Sequence, residues 1–107
     1  MVVGRVGSDL TLAQGKEAAR LVGLNILSTV RNTLGSLNRV KRLVKTVGWV
    51  NCTDDFKDQP LVINGFSELM AEVFGEDAGV GARSAVAANT LPGNIPVEIE
   101  CIFEIVP

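Results

Sequence analysis

The spacing of apolar positions predicts a long amphipathic helix near the start of the chain. Between residues 12 and 34, apolar residues recur every three or four positions, which is the period of one helix face. Thr11 and Gln14 have the spacing of a capping box, a hydroxyl followed three residues later by a Gln side chain. Gly35 follows the last apolar position and is typical of a helix end. We therefore predict one continuous helix over residues 12–34.

A second helix is predicted after the polar loop "NCTDDFKDQP". The loop offers Asp54 and Asp55 as carboxylates that can cap the start of a helix. Gly75 lies near the expected helix end, and "GEDAGVG" reads as a flexible link to the next element. The apolar face of this helix consists of Val62, Phe66, Leu69, Met70 and Val73.

Three segments have the pattern of β-strands. Residues 39–50 alternate with apolar side chains on both faces, which is typical of a central strand. Residues 82–88 and 97–105 are strand-like and are separated by "NTLPGN", which carries a Pro-Gly turn. Basic residues gather where the first strand begins, either as a solvated strand end or as a contact for a phosphate or partner. They are Arg39, Lys41, Arg42 and Lys45.

The element order indicates a single α/β domain spanning residues 1–107. A short N-terminal strand or arm is followed by helix, strand, helix, strand and strand, which predicts two helices on one face of a mixed sheet. We expect the last two strands to pair as a hairpin. Arg83 would then lie opposite about residue 102 and Glu98 opposite about residue 87, roughly 13 Å apart along the sheet.

The second face of this sheet is expected to be apolar and uncovered. The hydrophobic fraction is 47% and the mean hydropathy is +0.30. Nothing in a chain of 107 residues is left to cover such a face, so we expect a homo-oligomer that packs its sheets together. The residues assigned to this face are Gly48, Val50, Ala85, Ala87, Ile99 and Cys101.

Composition removes several classes of function. The chain contains no His, which excludes Ser-His-Asp and Cys-His catalysis and removes the commonest metal ligand. Zinc would depend on Cys52, Cys101 and carboxylates without ligand spacing, and there is no phosphate-binding loop. The net charge of −2 disfavours a general nucleic-acid binder, and no apolar run suits a membrane span. The two cysteines are far apart, as in reduced thiols of a cytoplasmic protein.

Two groups of charges remain as candidates for chemistry. Arg83 begins a strand of small residues, so its planar guanidinium has room to bind a carboxylate, unless it pairs with a nearby acid at the strand end. Glu98 and Glu100 lie two positions apart and share a face of the last strand. They form either an exposed acidic face or part of a ligand cleft.

The C-terminal segment resembles a known family signature. "ARSAVAANTLPGNIPVEIECIFEI" is similar to the signature of the reactive-intermediate deaminase family, RidA, also called YjgF or L-PSP. The first helix with its "VGWVN" strand and the segment "GFSELMAEVFGEDAGVGARSAV" are similar to the preceding parts of that family. The resemblance runs from Val6 onward. Members begin with a further strand pair containing "SGQ"-like residues, so this chain resembles an N-terminally shortened form.

The resemblance implies a chorismate-mutase-like α/β fold, assembled as a homotrimer with ligand clefts between subunits. Family members hydrolyse reactive 2-imino acids to 2-oxo acids and ammonia without a cofactor. Arg83 matches the residue that binds the substrate carboxylate, with Ser84 beside it in the signature. Glu98 matches the acid near the attacking water, and Asn64 matches a residue lining the cleft. Ala85 replaces a cysteine that is frequent in the family.

Three functions follow, in order of preference. The first is hydrolysis of 2-iminobutanoate or 2-iminopropanoate at an inter-subunit cleft. The second is a non-catalytic module that binds a small carboxylate through the same Arg83. The third is the ribonuclease activity attached to the L-PSP name, which the acidic net charge and the absence of His and Tyr disfavour.

Overall fold

The protein is described by a computed structural model that covers residues 2–107. Two α-helices and three β-strands make up the fold, with short helical turns at Leu37–Arg39 and Pro92–Asn94. The elements in chain order are α1 (Leu12–Leu34), β1 (Val40–Asn51), α2 (Gln59–Ala78), β2 (Ala82–Ala88) and β3 (Val97–Ile105).

Helix α1 begins and ends where its sequence predicts. The hydroxyl of Thr11 accepts a hydrogen bond from the backbone N–H of Gln14 at 3.1 Å. The Gln14 side chain accepts one from the Thr11 backbone N–H at 2.9 Å. Gly35 ends the helix with a φ of 85°, a conformation that costs glycine little. The predicted capping box and C-terminal stop are both confirmed.

Helix α2 starts differently from the prediction. It begins after Asp58, whose side chain makes no capping hydrogen bond, and neither Asp54 nor Asp55 caps it. Asp55 instead accepts a hydrogen bond from the Thr53 hydroxyl at 2.7 Å, which lowers the pKa of the Asp55 carboxyl. Much of the segment expected to be a link is helical, and Gly75 interrupts the helix with φ 91° and ψ 168°.

Strand β1 is the centre of the sheet, as predicted. The strand order is β2-β1-β3, with β2 parallel and β3 antiparallel to β1. The predicted hairpin between β2 and β3 is therefore wrong, because β1 lies between them. The connection through α2 delivers β2 parallel to β1, as βαβ crossovers do, and β3 pairs with the other edge of β1.

Asn51 holds the chain where it crosses from β2 to β3. Its side-chain amide donates to Asn94 Oδ1 and to the Ile95 carbonyl, both at 3.1 Å, and its backbone N–H donates to Pro96 O at 2.8 Å. The N-terminal arm reaches the same strand end, where the Val6 N–H donates to the Asn51 carbonyl at 2.9 Å. Val6 and Asn51 are both fully buried.

The face assignment of the sheet is the reverse of the prediction. A Cβ on Gly48 would collide with Ile63 of α2, so Gly48 faces the helices, and the strand register places Ala85 and Ile99 beside it. Alternation shows which residues share a face but not which face carries helices. The six residues expected on the uncovered face thus belong to the helix side. The open face carries Lys45, Val47, Trp49, Ser84, Val86, Glu98, Glu100 and Ile102.

The basic residues where β1 begins are mostly engaged with the surface of the same chain. Arg42 Nη2 lies 3.1 Å from Asp77 Oδ1, and Lys41 Nζ lies 3.7 Å from Glu104 Oε2. The four side chains of these two ion pairs are exposed, which favours a solvated strand end over a phosphate site.

Within residues 2–107, neither helix is long and apolar enough to cross a membrane.

Gly65 sets the separation of α1 and α2. An added Cβ there would overlap the carbonyl oxygen of Lys16, which is rigid helix backbone. Gly23 lies in the same helix interface, but its added Cβ would meet a mobile side-chain end, Leu69 Cδ2, at 2.8 Å. The two glycines therefore offer a matched comparison between a backbone clash and a side-chain clash.

We expect Gly65→Ala to lower the free energy of unfolding by at least about 2 kcal/mol, because the helices must separate to admit the methyl group. Gly23→Ala should stay within about 1 kcal/mol of wild type, since Leu69 can rotate and alanine favours the helix. Urea unfolding at equal protein concentration measures both. Equal losses in the two variants would show that the backbone contact at Gly65 does not control the packing.

Candidate functional site

Arg83 lies on the helix side of the sheet and is held by α2. It is the register partner of Thr46 in β1. Its Nη1 donates to Asn64 Oδ1 at 2.7 Å and to Ser67 Oγ at 3.2 Å. Asn64 and Ser67 are three positions apart, so their side chains lie on one face of α2. The β1–α2–β2 crossover brings this face over the start of β2.

The structure thus brings Arg83 and Asn64 together, while their role in substrate binding stays a prediction. Ser67 was not predicted. Its signal in the sequence is the spacing from Asn64, which places a second oxygen acceptor one helical turn further on the same face. This signal has meaning only once α2 is known to pack beside β2.

A small cavity opens beside Arg83. It has a volume of about 160 Å³, and the Arg83 and Ser67 side chains both border it. Among residues 2–107, no carboxylate lies within ion-pair distance of Arg83, which disfavours the alternative of a strand-end arginine paired with an acid. The other residues lining the cavity are Leu43, Thr46, Gly79, Val80 and Gly81.

Glu98 lies on the opposite face of the sheet from Arg83. Its register partner is Trp49, whereas that of Arg83 is Thr46. Thr46 and Trp49 are three positions apart on one strand, and an odd separation places them on opposite faces. The predicted hairpin register, which set Arg83 opposite about residue 102 and Glu98 opposite about residue 87, is therefore wrong, because both strands pair with β1. Ser84 pairs with Val47 and is likewise on the open face, away from Asn64.

Glu98 and Glu100 border a larger groove along the outer edge of β3. This groove has a volume of about 720 Å³ and runs between β3 and α1, where Ile26 and Phe103 form part of its apolar lining. Cys101 also lies in it. Burial raises the pKa of the Cys101 thiol, and the Glu100 charge adds to the effect. The thiol is therefore protonated at neutral pH and is a poor nucleophile.

The part of the chain that the structure describes contains no cluster of side chains arranged to bind a metal ion. Across residues 2–107, no group of three or more Cys, Asp or Glu side chains is placed to hold a metal ion. Both cysteines are unpaired thiols, with Cys52 buried and Cys101 half-buried. The chemistry available at Arg83 is therefore that of a permanent cation with neutral oxygen acceptors around it.

Comparison with known proteins places this architecture in one family. Residues 1–104 match the model described as "YjgF/chorismate_mutase-like, putative endoribonuclease". The chain belongs to this family, and its two helices on a three-stranded mixed sheet have the chorismate-mutase-like fold.

Relatives and solved structures agree with this assignment. Protein TCP17 of Trypanosoma cruzi is 40% identical over 104 residues, which is 97% of this chain and 65% of TCP17. The crystal structure of Atu1372 from Agrobacterium tumefaciens superposes with a TM-score of 0.94 at 42% identity, covering 99% of this chain and 68% of that one. A structure named "a putative endoribonuclease" from Shewanella oneidensis MR-1 superposes with a TM-score of 0.93 at 28% identity, and the match covers 98% of this chain and 69% of that one. The chain spans somewhat less than two thirds of the length of TCP17.

Proposed function

We propose that the protein binds small 2-imino and 2-oxo carboxylates at Arg83 and hydrolyses the 2-imino acids to 2-oxo acids and ammonia. One observation carries the proposal: the Arg83 guanidinium is held by neutral acceptors, has no carboxylate partner among residues 2–107, and borders a cavity of about 160 Å³. A guanidinium that is held in place and has no acidic partner can bind a planar carboxylate through two parallel hydrogen bonds. The small volume favours a short substrate.

The proposed reaction needs a carboxylate anchor, a water and one base. Arg83 holds the substrate carboxylate, which fixes the position of the protonated C=N carbon. Glu98 accepts a proton from the attacking water as its oxygen bonds to that carbon. Glu98 then returns this proton to the nitrogen of the adduct. As the C–N bond breaks and ammonia leaves, the hydroxyl group gives its proton to Glu98 and becomes the C=O group of the 2-oxo acid. No covalent enzyme intermediate is required.

The site is proposed to be shared between two chains of a homotrimer. Arg83 and Glu98 lie on opposite faces of one sheet, so one chain cannot direct both at the same small molecule. An assembly in which the open face of one chain meets the β2 edge of the next brings the two together. Val86 and Ile102 are 42% and 55% exposed on that open face and would be covered by such a contact. A cytoplasmic location is part of the same proposal.

A second function, carboxylate binding without turnover, is favoured by the same separation of charges. If no neighbouring chain supplies Glu98, the Arg83 site still binds its ligand but has no base for the water. The two functions differ in whether imine is consumed. They share the prediction that 2-oxo acids bind.

A third function is suggested by the word endoribonuclease in the family description and in the name of the Shewanella relative. The chain has a net charge of −2, no His and no Tyr, and only four Phe and one Trp to stack on bases. The exposed cations near the start of β1 pair with Asp77 and Glu104. These features place ribonuclease activity last.

Replacing Arg83 with Lys keeps the charge and removes the planar two-point contact. We expect pyruvate or 2-oxobutanoate to bind about ten- to a hundredfold more weakly, because one charge-assisted hydrogen bond is lost. Glu98→Gln should leave 2-oxo acid binding nearly intact and depress imine hydrolysis. Calorimetry measures binding, and an amino-acid oxidase coupled to a semicarbazide trap measures hydrolysis.

The Arg83→Lys result requires a folding control, namely an unchanged circular dichroism spectrum and an unchanged oligomer mass. If affinity for the 2-oxo acids is unchanged under those conditions, Arg83 has a structural role only. If Glu98→Gln binds normally and hydrolyses imine at the wild-type rate, Glu98 is not the base.

Incubation of highly purified protein with single-stranded RNA should produce no cleavage that depends on Arg83. The wild type and Arg83→Ala should give identical gel profiles, because the chain has no His to act as the base and the site has no extended basic surface. Cleavage that survives further purification and disappears in Arg83→Ala would instead place the ribonuclease function first.

A further inference from the structure

The hydrogen bonds to Arg83 use up one end of its guanidinium. Nη1 carries two N–H groups, and it has two acceptors, Asn64 Oδ1 at 2.7 Å and Ser67 Oγ at 3.2 Å. The Nε–H and the two Nη2 N–H groups have no acceptor among residues 2–107. The unused donors are therefore those on the side of the fork away from Nη1.

A carboxylate can meet a guanidinium with two hydrogen bonds in two ways. An end-on contact uses Nη1 and Nη2, and a side-on contact uses Nε and Nη2. In this structure the end-on contact would require Nη1 to give up a bond to Asn64 or Ser67. The side-on contact leaves both bonds intact and adds two more. The geometry around Nη1 thus selects one binding mode.

We propose that Ser67 is a positioning residue which, together with Asn64, clamps Nη1 and directs the Nε–Nη2 edge of Arg83 to the carboxylate of the ligand. This inference rests on the proposed function only for the nature of the ligand. The clamp itself is a property of the free protein. Ser67 acts through Arg83 and need not touch the substrate.

The clamp is built on a rigid support. Gly65 fits against the α1 backbone at Lys16, and Phe66 is fully buried, so the rotation of α2 about its axis is fixed. Asn64 and Ser67 flank these two residues and point to the start of β2. Removing the Ser67 hydroxyl leaves no large void, because Ser67 is only half-buried. The Ser67→Ala substitution therefore tests position rather than folding.

The first test examines the free protein by ¹⁵N-detected NMR of arginine side chains. In the wild type, rotation about the Arg83 Cζ–Nη1 bond should be slower than in the exposed Arg31 of α1. Ser67→Ala should accelerate it, and Ser67→Thr, which keeps the hydroxyl, should restore the slow rate. Ser28→Ala on the exposed side of α1 is the matched control. Equal rotation in wild type and Ser67→Ala would overturn the clamp.

The second test adds pyruvate. The Arg83 Nε resonance should shift on binding, and Ser67→Ala should weaken binding about three- to tenfold, the effect of losing one hydrogen bond. In an Arg83→Lys background, Ser67→Ala should have no further effect, because its influence passes through the guanidinium. A bound ligand that leaves the Nε resonance unmoved would overturn the side-on mode. An additive loss in the double variant would overturn the positioning role of Ser67.

Failure of the clamp and failure of the proposed function give different results. Suppose that the wild type shows the slow Nη1 rotation but does not bind pyruvate or 2-oxobutanoate. The ligand assignment and the side-on mode are then wrong, while the clamp on Nη1 is confirmed. If pyruvate binds and Ser67→Ala changes neither the rotation nor the affinity, carboxylate binding stands and Ser67 has no positioning role.

Discussion

The close contact between α1 and α2 at Gly65 determines the geometry of the candidate site. Because Gly65 has no side chain, the backbones of the two helices approach each other, and α2 can lie in only one rotation over the sheet. That rotation turns Ile63 into the space above Gly48 and presents Asn64 and Ser67 to the start of β2. The hydrogen-bond acceptors of Arg83 are therefore positioned by the packing of α2 against α1. A site supported in this way is held more precisely than one built on loops.

The sheet separates the two charged groups that the family resemblance assigns to one reaction. Arg83 faces the helices and Glu98 faces the open side, as the register of both strands on β1 requires. A sheet is too thick for a small imino acid to contact both faces. The proposed hydrolysis therefore depends on assembly, whereas carboxylate binding depends only on one chain. Oligomerisation would then control turnover without altering the binding residues.

Much of the fold could be predicted from the sequence because local signals were strong. The capping box at Thr11 and the left-handed Gly35 fixed both ends of α1, and alternation with apolar groups on both sides identified β1 as central. The pairing of β2 could not be predicted, because a Pro-Gly turn between two strands favours a hairpin and nothing local reveals the crossing held by Asn51. The prediction of which sheet face is uncovered was wrong for a related reason, since the alternation of side chains does not show which face the helices cover. Arg83 became a candidate because small residues follow it, and Asn64 because of the resemblance, but the hydrogen bond from Arg83 to Ser67 could be recognised only from the three-dimensional packing.

The central claim is that a catalytic site forms from Arg83 of one chain and Glu98 of another. Subunit mixing tests it most directly, using Arg83→Ala and Glu98→Gln homo-oligomers that are each inactive alone. After dissociation and reassembly in equal amounts, the mixture should recover about one quarter of the wild-type imine hydrolysis, because random assembly joins the two intact surfaces at about one interface in four. Reassembled mixed oligomers with no activity above that of the separate variants would contradict a site shared between chains.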